Sequence, residues 1–158
     1  MKRVLMIAVA LVAGVLLIGW LAFSSFSLAA VAEPGGTETY LAIKAKHLLI
    51  ARAVREGVPP RPLDRAASAA QGDNTFTVRC SLCHGEDAQS RTPIGQWMYP
   101  RATDLTSSEV RSYSDQELFW IVKNGIRLSG MPAFGKTETD EKIWNMIDHL
   151  RTLQVVKK

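Results

Sequence analysis

The sequence predicts an all-α protein, in which one N-terminal membrane helix precedes a connector and a helical domain. Three observations predict it. Val4 to Phe23 is an uncharged, mostly apolar run of twenty residues. Ser114-Asp115-Gln116-Glu117 reads S-x-x-E ahead of an apolar segment, the pattern of a helix capping box. Ile143, Ile147, Leu150 and Leu153 recur at steps of 4, 3 and 3, a helical stripe. Nothing upstream of Cys80 reads as a buried strand. The expected divisions are residues 1–32 as the anchor, 33–62 as the connector and 63–158 as the helical domain.

The N-terminal run follows Lys2-Arg3. Twenty residues of helix rise about 30 Å, enough to span the hydrocarbon core of a bilayer. Trp20, Phe23 and Phe26 fall where an interfacial aromatic belt would lie. A cleaved secretory signal is the alternative, and Ala30-Val31-Ala32 resembles its cleavage site. The apolar core of such a signal is about 7–15 residues long, shorter than this run, so a retained anchor is expected. Lys2 and Arg3 lie before the run, and the next basic residue is Lys44. That asymmetry puts the N-terminus in the cytoplasm and the bulk of the chain outside.

In the connector, Glu33-Pro34-Gly35-Gly36 breaks the apolar helix. Thr37 to Glu56 reads as a polar, basic helix with Leu41, Ala45, Leu48 and Arg52 on one face. It is expected to be a solvated spacer, with contact to lipid headgroups or a partner subunit as the functional alternative. Gly57-Val58-Pro59-Pro60-Arg61-Pro62 is a stiff, extended linker and the expected domain boundary. His47 is expected on the surface of the spacer.

The chemistry concentrates in Cys80-Ser81-Leu82-Cys83-His84. C-x-x-C-H is the attachment signature of a c-type haem. Two thiols about one helical turn apart meet the two vinyl groups of one haem, and the adjacent His becomes the proximal iron ligand. A thioredoxin-type redox pair would need a βαβ context, and a zinc site would need more Cys or His nearby than the distant His47 and His149. A disulfide between residues three apart is strained and closes almost no loop. Both cysteines of the chain belong to this motif.

Around the motif, Leu63 to Arg79 is expected to be helix. Gly72 inside it marks either a close helix crossing or an interruption at Gly72-Asp73. Gly85 to Thr106 reads as loop, from which a carbonyl near Pro93 or Pro100 is expected to hold the second ring nitrogen of His84. The capping box starts a helix over 115–124 that Gly125 ends. Met131 lies between Gly130 and Pro132, where the chain is not helical, so its thioether is a candidate iron ligand. Thr139 caps the last helix, with Asp140 and Glu141 in its first turn. Met146 is read as core and His149 as a rim residue.

The net charge is +4 and the pI about 9.3. The excess sits in the first 59 residues. Residues 60–158 carry thirteen Lys and Arg against twelve Asp and Glu, so no nucleic-acid partner is expected.

Helix with Gly72 and Phe76, Cys80-Ser81-Leu82-Cys83-His84-Gly85, Asn124-Gly125-Ile126, Gly130-Met131-Pro132-Ala133-Phe134 and a terminal helix with Trp144 together resemble the class I cytochrome c family. The likeness is greatest to small membrane-anchored bacterial cytochromes c, through Tyr99-Pro100, Asp104-Leu105-Thr106 and Glu117-Leu118-Phe119. The resemblance implies a class I cytochrome c-like haem domain in which Gly72 and Phe76 meet Trp144. It implies one haem c, bound through Cys80 and Cys83, with His84 and Met131 as the two iron ligands. The implied function is one-electron transfer between respiratory or other redox proteins, without enzymatic activity or a small-molecule substrate. Haem attachment in bacteria is extracytoplasmic, so the implied place is the inner membrane with the haem domain facing the periplasm or cell exterior. The alternatives are a haem enzyme or gas sensor with a displaceable Met131, and a cytochrome subunit acting mainly in assembly of a larger complex.

Overall fold

The computed structural model describes residues 2–24, 27 and 29–155. Phe26, expected in the aromatic belt, lies outside the described residues, as does the end of the expected domain, 156–158. The described residues are helical with no strand. They form two compact units, Met1–Ala32 and Glu33–Lys158.

The first unit is helix α1, Lys2–Ser24. None of its residues is buried. At 1.5 Å per residue it is roughly 35 Å long, and it is long and apolar enough to cross a membrane.

The second unit begins with α2, Gly36–Val54. The face expected from Leu41, Ala45, Leu48 and Arg52 points outward, with Leu41 60% and Leu48 72% exposed. The opposite face, Ile43, His47, Ile50 and Val54, has the same 4-3-4 spacing and turns inward. Ile50 is 2% exposed and belongs to the main core. His47 stacks on Tyr113 at 4.1 Å between ring centroids. Lys46 pairs with Glu109 at 3.0 Å. The solvated spacer is therefore corrected: α2 docks on the domain. Both faces fit helical periodicity, and the inner one wins because it offers β-branched bulk and a ring to a ready surface. The linker also docks. Val58 packs against the core, and Arg61 pairs with both Asp115 and Asp148. These contacts tie the connector to the domain on the near side of residue 62.

Asp64 caps α3, Arg65–Arg79, accepting from Ala66 N (3.1 Å) and Ala67 N (3.0 Å). Ser68, Ala69, Gly72 and Phe76 are its buried face. The helix is unbroken at Gly72, which is a crossing point. A Cβ there would lie 1.9 Å from the carbonyl oxygen of Asn145. The expected meeting with Trp144 is corrected. Gly72 meets Asn145 and His149, and the Phe76 ring packs on His149 at 5.3 Å. Residues 145 and 149 stand one turn apart on the side of the last helix that faces α3. Trp144 points a further 100° round and stacks on Phe119 at 4.5 Å.

Four short helices follow: α4, Ser81–His84; α5, Pro93–Gln96; α6, Ser108–Ser112; and α7, Asp115–Asn124. The expected loop over 85–106 is interrupted only by the single turn of α5. Helix α6 was not expected; Ser107 caps it by accepting from Val110 N. At α7 both halves of the capping box form, Glu117 N to Ser114 Oγ (3.2 Å) and Ser114 N to Glu117 Oε2 (2.7 Å). Gly125, at φ +68°, ends it. After a 3-10 turn at Phe134–Lys136, α8 runs Asp140–Val155. Thr139 Oγ1 accepts from Lys142 N at 3.3 Å. The buried Asn145, Asp148 and Gln154 side chains of α8 are each engaged. Asn145 accepts from Ser68 Oγ (2.6 Å), Asp148 from Arg61 and Arg65, and Gln154 donates to Leu105 O (2.6 Å).

Gly72→Ala should lower stability by about 1–3 kcal/mol, because backbone rather than a flexible side chain blocks the new methyl. A urea midpoint equal to that of the natural chain would show that α8 yields without cost. Asp115 supplies a pH signature. Burial raises its pKa, but Arg151 and Arg61 outweigh that and hold it below the usual carboxylate range. Its contribution is thus complete above the unfolded carboxyl value, about 3.9, and fades as pH falls through the lower folded value. The stability difference between the natural chain and Asp115→Asn, measured by urea unfolding, should be largest near pH 7 and shrink below about pH 4.

Candidate haem site

Helix α3 delivers the motif. Cys80 is its C-cap, with its N–H on Phe76 O at 2.7 Å. The chain turns into α4 there, and one turn carries Cys83 and His84. His84 N donates to Cys80 O at 2.9 Å, and Gly85 leaves the turn at φ +76°. The two cysteines are free thiols, both half-buried. Cys80 Sγ lies 3.9 Å from Met146 Sδ of α8. Burial, reinforced by the neighbouring Cys83, pushes the Cys80 thiol up to about 12. A redox-active C-x-x-C pair has the opposite character, with a depressed thiol. Among the described residues no group of three or more His, Cys, Asp or Glu could hold a metal ion, which leaves the zinc reading without ligands.

His84 is held by the loop that follows it. Its Nδ1 donates to Thr103 O at 2.9 Å. A carbonyl only accepts, so Nδ1 carries the proton and the Nε2 lone pair is available to a metal. Burial lowers the His84 pKa, and the bond to Thr103 acts against that. The net shift favours the neutral form that ligates. The holding carbonyl lies three residues beyond Pro100. The Tyr99–Pro100 peptide is cis.

Sequence reasoning missed the supports of this arrangement. Ser90 is 2% exposed, and its hydroxyl bonds Thr103 O and lies 3.1 Å from His84 Nδ1. Its backbone sits at φ +56°, where non-glycine residues are strained. Ser90 N to His84 O (2.6 Å) and Gln96 Nε2 to Ser90 O (2.5 Å) hold it there. Thr92 Oγ1 donates to Cys83 O at 3.1 Å. Gly95 packs so closely that a Cβ would lie 2.1 Å from Cys83 O. The one signal in the sequence was Thr92-Pro93, a cap and a first helical proline, which together mark α5.

Met131 stands in a separate turn. Its N donates to Ser129 Oγ (3.2 Å), and its carbonyl oxygen lies 2.7 Å from where a Gly125 Cβ would be. The neighbouring Gly130 packs on Met98: a Cβ there would lie 1.8 Å from Met98 Cε. Met98 belongs to the loop that holds His84, so this contact ties the Met131 turn to that loop. His47 and His149 are engaged elsewhere, with Tyr113 and with Phe76.

The residues present fit a covalent haem. The thiols are free, the imidazole has its ligating nitrogen unprotonated, and a methionine stands on a turn tied to the loop that holds that imidazole. Leu82, Ile94, Trp97 and Leu128, on the same segments, are apolar and exposed, as the lining of an apolar macrocycle would be without it.

The family described as "Cytochrome C oxidase, cbb3-type, subunit III" matches residues 67–150. Among solved structures, a chain of the reducing HAO-like protein complex of Kuenenia stuttgartiensis is similar, with a TM-score of 0.52 and 21% sequence identity. The likeness covers 61% of this chain and 47% of that one, and at this identity it concerns the fold. This chain therefore spans about half the length of that relative. No curated protein matches. With more than half of its length matched, from the first turn of α3 into the second half of α8, the chain belongs to the cbb3-type subunit III family of class I-like c-type cytochrome domains.

Proposed function

We propose that the chain is a membrane-tethered monohaem c-type cytochrome that carries single electrons between redox partners outside the cytoplasmic membrane. The observation that carries this reading is the His84 Nδ1 bond to Thr103 O, which prepares Nε2 as a ligand inside a C-x-x-C-H turn. When bound, the haem supplies a one-electron iron couple. Cys80 and Cys83 would attach it by thioether bonds. His84 and Met131 would ligate its iron, so that the group serves electron transfer and not substrate binding. A neutral thioether favours the reduced metal and raises the potential relative to a second imidazole. Thr103, Ser90 and Gly95 position the proximal side, while Met98 and Gly125 position the Met131 turn.

Two further features support the setting. Helix α1 meets the length and composition of a span, and is read as a retained anchor. It would confine the domain beside membrane partners and raise its effective concentration there. The charge order around the span, with Lys2 and Arg3 before it, supports a haem domain on the periplasmic or outer side. Respiratory or other redox proteins are the proposed partners, in keeping with a family that generally carries electrons and a structural relative that comes from a complex.

The ferric protein should show the weak long-wavelength sulfur-to-iron band, and the ferrous protein should resist carbon monoxide. Fast carbon monoxide binding with the band absent would point instead to a haem enzyme or gas sensor. Met131→Ala should lower the midpoint potential and admit carbon monoxide, and an unaltered spectrum would sink the Met131 assignment. Intact mass spectrometry should find one covalent haem together with residues 1–32. A mass starting at Glu33 would mean that α1 is a signal and not an anchor.

A further inference from the structure

Helix α2 has two faces, and the domain uses one. The inward face ends on Tyr113, Glu109 and the core. The outward face, roughly 180° away at 100° per residue, carries Leu41, Lys44, Leu48 and Arg52, flanked by Leu49 and by Arg55 at the cap. Leu41, Leu48 and Leu49 are 60%, 72% and 62% exposed, although large aliphatic side chains gain from burial. Lys44, Arg52 and Arg55 are exposed too, and among the described residues no ion pair engages them. The inward Lys46, by contrast, has its carboxylate at Glu109. Glu38 is engaged by the Tyr99 hydroxyl at 2.5 Å. The outward face is thus apolar and cationic at once, the chemistry of a helix that lies in a membrane interface.

We propose that this face of α2 rests on the anionic headgroup layer, with Leu41, Leu48 and Leu49 entering the apolar boundary and Lys44, Arg52 and Arg55 meeting lipid phosphates. The inference rests on reading α1 as a span. Eleven residues separate Ser24 from Gly36. They reach at most about 40 Å, so α2 stays within reach of the lipid surface. Charge complementarity selects acidic lipid as the occupant, because three cations without a carboxylate partner among the described residues stand among the leucines, Lys44 resting over the Tyr40 ring at 5.7 Å. Since the other face of α2 is docked, the contact would also fix the orientation of the haem domain towards the lipid.

The test is acylation of lysines in the full-length holoprotein by a neutral, water-soluble reagent, read by mass spectrometry. The protein is placed in nanodiscs of phosphatidylglycerol or of phosphatidylcholine. Lys44 should react at least about threefold more slowly in the phosphatidylglycerol discs, and the protection should fall in high salt. Lys136, on the 3-10 turn, should react equally in both. Equal reactivity of Lys44 in the two discs overturns the proposal. So does a Lys44 that is open in phosphatidylglycerol discs but protected in native membranes, which would assign the face to a partner protein. A holoprotein that does not enter nanodiscs refutes the anchor and leaves the face to be tested on the mature chain. That chain should then sediment with phosphatidylglycerol vesicles, and the Lys44→Glu, Arg52→Glu, Arg55→Glu variant should not. Failure of the natural mature chain to sediment overturns the proposal.

Discussion

The contact on which the haem domain depends is the crossing of α3 and α8, where Gly72 lies against the Asn145 backbone. No residue with a Cβ allows that approach, and it fixes the direction of α3. The end of α3 is Cys80, so the crossing also fixes the start of the haem motif. Ser68 bonding Asn145 and Phe76 packing on His149 extend the contact on either side of Gly72. Through Met146, α8 then forms part of the wall behind Cys80. One close helix pair thus sets both the core and the position of the first thiol.

The second level of organisation is the loop after His84. It contains little regular structure, yet it is bonded at both ends. Leu105 N donates to Ala88 O at 2.8 Å, and Gln154 of α8 donates to Leu105 O. Thr103 lies two residues before that tie and holds the His84 ring. The orientation of His84 is therefore referred back to α8 by hydrogen bonds. The Met131 turn is referred to the same loop by packing of Met98 on Gly130. Both candidate ligands are positioned by a segment that is neither strand nor long helix, which agrees with functional groups being placed by loops on a rigid frame.

Much of this was legible in the sequence. The motif, the capping box at Ser114, the stop at Gly125 and the stripe from Ile143 to Leu153 are local patterns with local causes, and the structure reproduces these elements. The less legible features depend on what lies across space. Two faces of α2 have equal periodicity, and only the presence of Tyr113, Glu109 and α7 decides between Ile50 and Leu48. Gly72 advertises a crossing but not its partner, since Trp144 and Asn145 differ by one position on α8. The carbonyl that meets His84 comes from a loop whose path is set by Ser90 in a left-handed conformation, which no propensity favours. A proline-rich linker reads as a boundary by composition, yet Arg61 between Asp115 and Asp148 anchors it to the domain.

That anchored connector has a weakness built into it. The Tyr113 hydroxyl, beside α2, and the Trp144 indole N–H, beside Arg61, are buried with no hydrogen-bond partner among the described residues. A buried group left unpaired in this way costs a packed state about 1–3 kcal/mol. If the connector lifts, water reaches both groups. Release therefore costs less free energy than the buried contacts of Ile50 and Val58 alone imply. Opening of residues 36–62 ahead of the α3–α8 pair is the local fluctuation that these two groups would favour. It would let the segment before Asp64 move independently of the helix pair that carries the Cys80–His84 motif.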